Sequence, residues 1–251
     1  MMRHLAAAAG ALLLAACVSS GPSKAPTNTK EAARANVQLG VAYMQQGNLQ
    51  LAREKLLRAE QQDPRSVELQ MAMAFLNERL GRPEEAERHY RTAQRLAPRS
   101  ADVANNYAVF LCTAGRADQA LPLFETAARD PLYRTPWAAL TNAAVCLRSA
   151  RRNADAVALL ERAIALRPDF SEAVMQLADV QLELGNADQA AAVVNRYLGI
   201  GRSSPDVLLV GVRAAIARGD RPATDEYARR LRRDYPDSTQ TSMLPQLLRA
   251  P

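Results

Sequence analysis

Residues 47–64, GNLQLAREKLLRAEQQDP, and residues 81–98, GRPEEAERHYRTAQRLAP, are two copies of one pattern. Each copy begins with glycine, places alanine sixth and thirteenth and ends with proline, and the copies begin 34 residues apart. The interval between Gly115 and Gly185 is two such periods plus two residues, and its vacant glycine position falls at Arg151. A pattern held over about 200 residues predicts a stack of similar structural units. Further along the chain, glycine recurs at 115, 185 and 219, alanine at 120, 127, 156, 163 and 190, and proline at 168 and 236.

The period of 34 residues is the length of a tetratricopeptide repeat, a pair of antiparallel helices joined by a turn. Glycine tolerates the left-handed conformation in which the first helix ends. Asn48, Asn186 and Asp220 follow three of the glycines and are placed to cap the second helix. Ser66, Ser100 and Ser204 close three blocks and are placed to cap the next helix. The sequence therefore predicts an all-α, right-handed solenoid of six tetratricopeptide repeats, at 33–66, 67–100, 101–134, 137–170, 171–204 and 205–238, followed by a C-terminal tail at 239–251.

The composition agrees with helices and gives no sign of a nucleic-acid partner. Hydrophobic residues make up 48% of the chain but aromatic residues only 5%, which favours closely packed helices over a β-sandwich. The net charge of +6 comes from basic residues interspersed with acidic ones. The one dense cluster is Arg229, Arg230, Arg232 and Arg233. This cluster is either a solvated helix face or a contact for anionic headgroups or a partner.

Residues for catalysis or metal binding are scarce. The two histidines are His4 and His89, and the chain has no Cys-x-x-Cys, Gly-x-Ser-x-Gly or His-Glu-x-x-His motif and no phosphate-binding glycine loop. We therefore expect no catalytic residues, metal site, cofactor or small-molecule substrate.

The N-terminus has the layout of an export signal. Arg3 and His4 precede an apolar run from Leu5 to Leu14, which is too short to span a membrane. The run ends in Leu14-Ala15-Ala16-Cys17, which resembles the lipobox of bacterial lipoproteins. That resemblance implies a signal peptide at 1–16 and lipidation of Cys17; an ordinary signal cut after Ala16 is the alternative. Residues 17–32 would then be the lipidated cysteine and a flexible tether, reaching on the order of 20 Å.

The third and fourth blocks depart from the simple repeat. The third contains Asn105-Asn106-Tyr107 and ends in 130–136, DPLYRTP, which carries the two extra residues; the fourth opens at Trp137. Together with the lipobox, the six repeats and an Asp234-Tyr235-Pro236 ending, this stretch resembles the PilF, PilW and Tgl family of type IV pilus lipoproteins. The resemblance implies a pilotin, an adaptor that helps the pilus secretin reach the outer membrane and form multimers there. Val18, not Asp, follows Cys17, which by the family rule implies the outer membrane, with the protein on its periplasmic face.

Two other classes of function stay open. One is a tetratricopeptide lipoprotein adaptor for other periplasmic cargo, such as a tight-adherence pilus component or a hydrolase or protease. The other is a structural envelope protein that binds peptidoglycan or lipopolysaccharide through its arginines.

Cys112 and Cys146 are the remaining cysteines after Cys17, and export would place them in an oxidising compartment. They lie in the first helices of neighbouring blocks, where packed helix axes are about 8–10 Å apart. Two buried thiols are the alternative to a disulfide. The compartment and the even count favour a disulfide, and the family resemblance implies one as well.

The first helices of such a solenoid line its concave surface, with the second, fifth, ninth, twelfth and thirteenth positions of each block facing inward. The last two blocks place mainly charged residues there, including Asp179, Glu183 and Arg213. The first three blocks place mainly apolar residues there, and a register error of one residue would move some of these into the core. We expect this front half to bind an extended or helical segment of the secretin. The predicted groove residues are Val37, Val41, Met44, Met71, Phe75, Asn105 and Val109.

Overall fold

A computed structural model describes residues 29–249, and these residues form α-helices joined by short turns, with no strand among them. The helices are α1 (Thr29–Gln45), α2 (Leu49–Gln62), α3 (Val67–Arg79), α4 (Pro83–Leu96), α5 (Ala101–Thr113), α6 (Ala117–Arg129), α7 (Pro136–Ser149), α8 (Asn153–Leu166), α9 (Ser171–Glu183), α10 (Ala187–Gly199), α11 (Pro205–Ala217), α12 (Arg221–Asp234) and α13 (Thr239–Leu247).

The first twelve helices form six antiparallel pairs, and α13 packs against α11 and α12. Substantial contacts join only helices that are neighbours or next neighbours along the chain. This nearest-neighbour pattern is typical of a solenoid, in which each unit is stabilised by the units beside it. The predicted all-α tetratricopeptide fold is confirmed.

Small residues allow the two helices of each unit to approach closely. The alanines at the sixth and thirteenth pattern positions are fully buried, as in Ala52 and Ala59. Larger side chains such as Tyr90, Phe124 and Leu160 fill the space between units. In the last two units Tyr197, Thr224 and Leu231 replace alanines and are themselves buried, so the core there is larger.

The turns follow the expected chemistry, with one exception. Gly47 and Gly219 have φ of +78° and +68°, and Arg151, at the vacant glycine position, has φ of +60°. Asn48 and Asp220 cap their helices by accepting from backbone N–H groups at 3.1 Å, and the three predicted serine caps also form. The prediction for Asn186 is wrong. Its side-chain amide instead donates to Oε1 of the buried Gln181 at 2.9 Å, which satisfies that polar group.

Both ends of the solenoid differ from the predicted boundaries. Helix α1 begins at Thr29, so the last residues of the stretch 17–32 are helical and not part of a flexible tether. The predicted tail contains α13, whose Leu244 is fully buried against the last repeat. The predicted signal peptide and Cys17 lie outside the described residues. No helix within 29–249 combines the length and the apolarity needed to cross a membrane.

Candidate functional site

The ninth residue of each block forms a series along the first helices, which we call the first-helix column. Phe75, Val109 and Val145 are each between 37% and 39% exposed, and Val41 is half-buried. Because large apolar side chains are normally buried, an aligned set of partly exposed ones indicates a surface that another molecule covers. The complete column is Val41, Phe75, Val109, Val145, Asp179 and Arg213.

A hollow of about 290 Å³ opens at the front of this column. Val41, Met44 and Phe75 supply its apolar lining, and Glu78 and Arg79 bring charges to it. The hollow therefore suits an apolar side chain carried by a segment that also has polar groups.

An aromatic cluster supports the front half from below. Tyr90 contacts Phe75 edge to face at 5.9 Å between ring centroids, stacks on Tyr107 at 5.6 Å and lies 5.2 Å from Phe110. The Tyr90 hydroxyl donates to Glu78, and burial raises the pKa of both side chains. Aromatic pairs of this geometry add stability beyond their buried area, so Phe75 is presented on a rigid base.

The back half of the column is polar. Arg213 pairs with Asp179, and Arg148 donates to both Gln176 and Glu183. The hydrogen bond from Arg148 lowers the pKa of Glu183, whereas burial raises the pKa of Asp179 despite its arginine partner. The surface thus changes from apolar to charged between the fourth and fifth repeats.

Two contacts tie α5 to α7 beside the column. Asn142 donates to Asn105 Oδ1 at 3.1 Å. The sulfur atoms of Cys112 and Cys146 lie at bonding distance, with Cα atoms 5.5 Å apart, which is the separation typical of disulfides. Both contacts join helices on either side of the segment 130–136, which carries the two extra residues.

The structure places the predicted groove residues in four environments. Val41, Phe75 and Val109 lie in the first-helix column, and Met71 is half-buried against the aromatic cluster. Asn105 accepts a hydrogen bond from Asn142 of α7 and so braces two neighbouring repeats.

The prediction that Val37 and Met44 face the groove is wrong. They are 7% and 6% exposed and belong to the core that contains Leu56, although Met44 also forms part of the base of the front hollow. Side chains of α2 and α3 pack over both residues, whereas Met175 and Leu209, each fifth in its block, stay half-buried. Thr141, fifth in the fourth block, is also buried.

Val145 is a site residue that the sequence reasoning missed. It is the ninth residue of the fourth block, so the same spacing that identified Val41, Phe75 and Val109 would have found it.

Comparisons with known proteins agree with this architecture. Two sequence models of the tetratricopeptide repeat family match the chain, one at residues 147–216 and the other at 6–67 and 72–134. The type IV pilus assembly protein PilF of Pseudomonas aeruginosa is 29% identical over 228 residues, which cover 90% of each chain.

Two solved structures are similar at 27% sequence identity. The crystal structure of PilW, described as a widely conserved type IV pilus biogenesis factor, superposes with a TM-score of 0.69 over 85% of this chain and 98% of PilW. The structure of Pseudomonas aeruginosa PilF gives 0.67 over 87% of this chain and 98% of PilF. The chain therefore belongs to the tetratricopeptide repeat family, and its expected resemblance to the type IV pilus biogenesis members of that family is confirmed.

Proposed function

We propose that this protein is an outer-membrane lipoprotein adaptor, a pilotin, that binds the type IV pilus secretin and promotes its localisation and multimerisation. Pilus biogenesis and twitching motility would depend on it. The observation that carries the proposal is the first-helix column, whose four apolar residues are aligned and partly exposed, with Phe75 supported by Tyr90. The likeness to PilF and PilW over most of the chain supplies the pilus context.

The column suits a peptide better than a small molecule. First helices of neighbouring repeats pack about 8–10 Å apart, so its four apolar residues extend over roughly 30 Å. An amphipathic helix, which rises 1.5 Å per residue, would meet successive repeats with apolar residues about seven positions apart. An extended segment would need an apolar residue about every three positions to contact successive repeats.

The proposed location follows from the N-terminus. Lipidation of Cys17 would attach the chain to the outer membrane on its periplasmic face, about a dozen residues before α1 begins. An adaptor held there would retain secretin subunits at the membrane in which they assemble. In this role the protein would act by binding a partner, not by catalysis.

A double substitution tests the groove. Val41→Glu with Phe75→Glu places two charges in the front hollow, and desolvating them opposes insertion of an apolar side chain. Secretin capture in pull-downs from detergent-solubilised outer membranes should fall by at least about tenfold, the equivalent of roughly 1.4 kcal/mol. Helical content should stay near the wild-type level by circular dichroism.

The matched control is Leu184→Glu with Met243→Glu, two exposed apolar residues outside the column. It adds the same charge and should capture secretin as the wild type does. Full capture by the Val41→Glu, Phe75→Glu protein would show that the groove is not the binding site.

A further inference from the structure

The turns that join successive repeats all lie on one edge of the solenoid, because second helices end there and first helices begin there. A large apolar residue is exposed in, or directly before, each of three consecutive turns on this edge. Leu132 is 88% exposed, Leu166 54% and Ile200 50%. On the opposite edge, where the turns within the repeats lie, the described residues expose Leu184 and Leu248 less strongly, at 41% and 38%. The exposure is therefore concentrated on one edge.

The loop that carries Leu132 is ordered by its own contacts. The backbone N–H of Leu132 donates to Asp130 Oδ1 at 2.9 Å, and that of Tyr133 donates to the Asp130 carbonyl at 3.1 Å. Tyr133 packs on alanines of α5, α6 and α7. With its neighbour anchored in this way, Leu132 projects from the tip and has no role in the core.

An exposed arginine follows each of the three apolar residues within two positions, namely Arg134, Arg167 and Arg202. Arg167 and Arg202 share one carboxylate, that of Asp169, at 3.2 and 3.5 Å, which leaves this pair of turns with excess positive charge. Arg167 also lies 4.6 Å from the centre of the Trp137 ring. Tryptophan, arginine and exposed aliphatic residues together are typical of surfaces that contact the headgroup region of a bilayer.

The same edge holds the start of α1. In the sequence, Cys17 lies 12 residues before Thr29. An apolar hollow of about 480 Å³ between α8 and α10 also opens beside two of these turns, with Pro168, Val193, Tyr197 and Ile200 among its walls. The start of α1, the exposed apolar residues and the arginines thus lie on the same edge of the described solenoid.

We propose that the edge formed by Leu132, Leu166 and Ile200 with Arg134, Arg167 and Arg202 docks onto an anionic phospholipid surface. The inference rests on the proposed function, because lipidation of Cys17 is what would keep this edge beside a membrane. Docking would fix the orientation of the solenoid under the bilayer and leave the first-helix column open to its partner.

Vesicle flotation tests the edge separately from the anchor. The mature full-length chain with Cys17→Ser carries no lipid, so any binding must come from the folded body. It should float with phosphatidylethanolamine–phosphatidylglycerol vesicles about fivefold more than with phosphatidylcholine vesicles, and added salt should weaken this binding.

Substitutions identify the residues responsible. Leu132→Ser, Leu166→Ser and Ile200→Ser combined should reduce the bound fraction at least about fivefold, because the apolar contacts are lost. The control, Leu39→Ser with Leu184→Ser and Met243→Ser, changes three exposed apolar residues elsewhere and should bind as the unsubstituted chain does. Circular dichroism and thermal unfolding would show that both variants are folded.

Absence of flotation with the anionic vesicles, or equal flotation of the edge variant, would overturn the inference. So would an edge variant that binds vesicles normally but no longer captures secretin, since the edge would then be a protein interface. Secretin is absent from the flotation assay. Failure of the pilotin proposal, through an unlipidated Cys17 or an unbound secretin, would therefore leave the vesicle result unchanged.

Discussion

At the scale of single residues, Arg151 occupies a conformation that the other repeats assign to glycine. Its φ of +60° places the backbone in the left-handed region. For a residue with a Cβ this conformation lowers the stability of the folded state by about 1 kcal/mol or more. Arg151→Gly removes this strain. It also increases the conformational entropy of the unfolded chain, which opposes folding by about 0.4–1 kcal/mol. We expect a net stabilisation of about 0.5 kcal/mol, measured as a higher urea midpoint. Gly115→Ala, the opposite change at φ +73°, should lower the midpoint, and a lower midpoint for Arg151→Gly would contradict this account.

Glu87 links stability to pH. Its carboxylate accepts from Arg116 and Arg91 at 2.8 Å and from the Tyr107 hydroxyl at 3.2 Å. The hydrogen bond from Arg116 is the main reason that the pKa of Glu87 falls from 4.5 to about 2. Because the folded pKa is depressed, the stabilisation is present above about pH 4.5 and is lost as the pH falls toward 2.

Glu87→Gln should therefore lower the free energy of unfolding by about 1 kcal/mol at pH 7, a modest cost because the site is partly exposed to solvent. Near pH 2 the carboxyl group becomes protonated, so the substitution should cost almost nothing there. Urea unfolding at several pH values measures the difference. The control is Glu161→Gln, an exposed glutamate on α8, which should change stability by less than about 0.5 kcal/mol throughout. A Glu87→Gln deficit that stays the same at both pH extremes would disprove the linkage.

At the scale of helices, the pair α5 and α7 is the joint at which the repeat period changes. The asparagine bridge and the apposed cysteines hold these helices together where two extra residues enter the chain. The sequence predicted that Cys112 and Cys146 are neighbours, because both lie late in first helices of adjacent repeats. It did not predict the Asn105–Asn142 contact, since side-chain pairing between helices depends on rotations that the period does not specify.

Oxidation of this cysteine pair should stabilise the solenoid. A closed loop of 34 residues contributes roughly 3–4 kcal/mol in the chain-entropy model. Cys112→Ser with Cys146→Ser should therefore unfold at markedly lower urea concentration than the oxidised wild type, and reduced wild type should match the variant. Mass spectrometry of protein isolated without reductant from the cells that produce it checks the bond itself, and two free thiols would refute it.

At the scale of the whole molecule, the repeat pattern predicted the architecture because glycine turns and crossing alanines act locally in most of the units. Ala52 and its equivalents are buried wherever they recur, so the count and order of units followed from spacing. The surface was harder to predict. Val37 and Met44 lie at the border between groove and core, where a small helix rotation decides exposure, and the role of α13 depends on an end contact that has no repeat signal.

The central claim is that this protein assembles the pilus secretin at the outer membrane, and secretin multimers in a deletion strain test it most directly. Heat-stable multimers in isolated outer membranes would be compared between the deletion strain and the strain complemented with the wild-type gene. We predict that the multimers are lost on deletion, with monomers remaining, and return on complementation. Normal multimers in the outer membrane of the deletion strain, together with normal twitching motility, would contradict the claim.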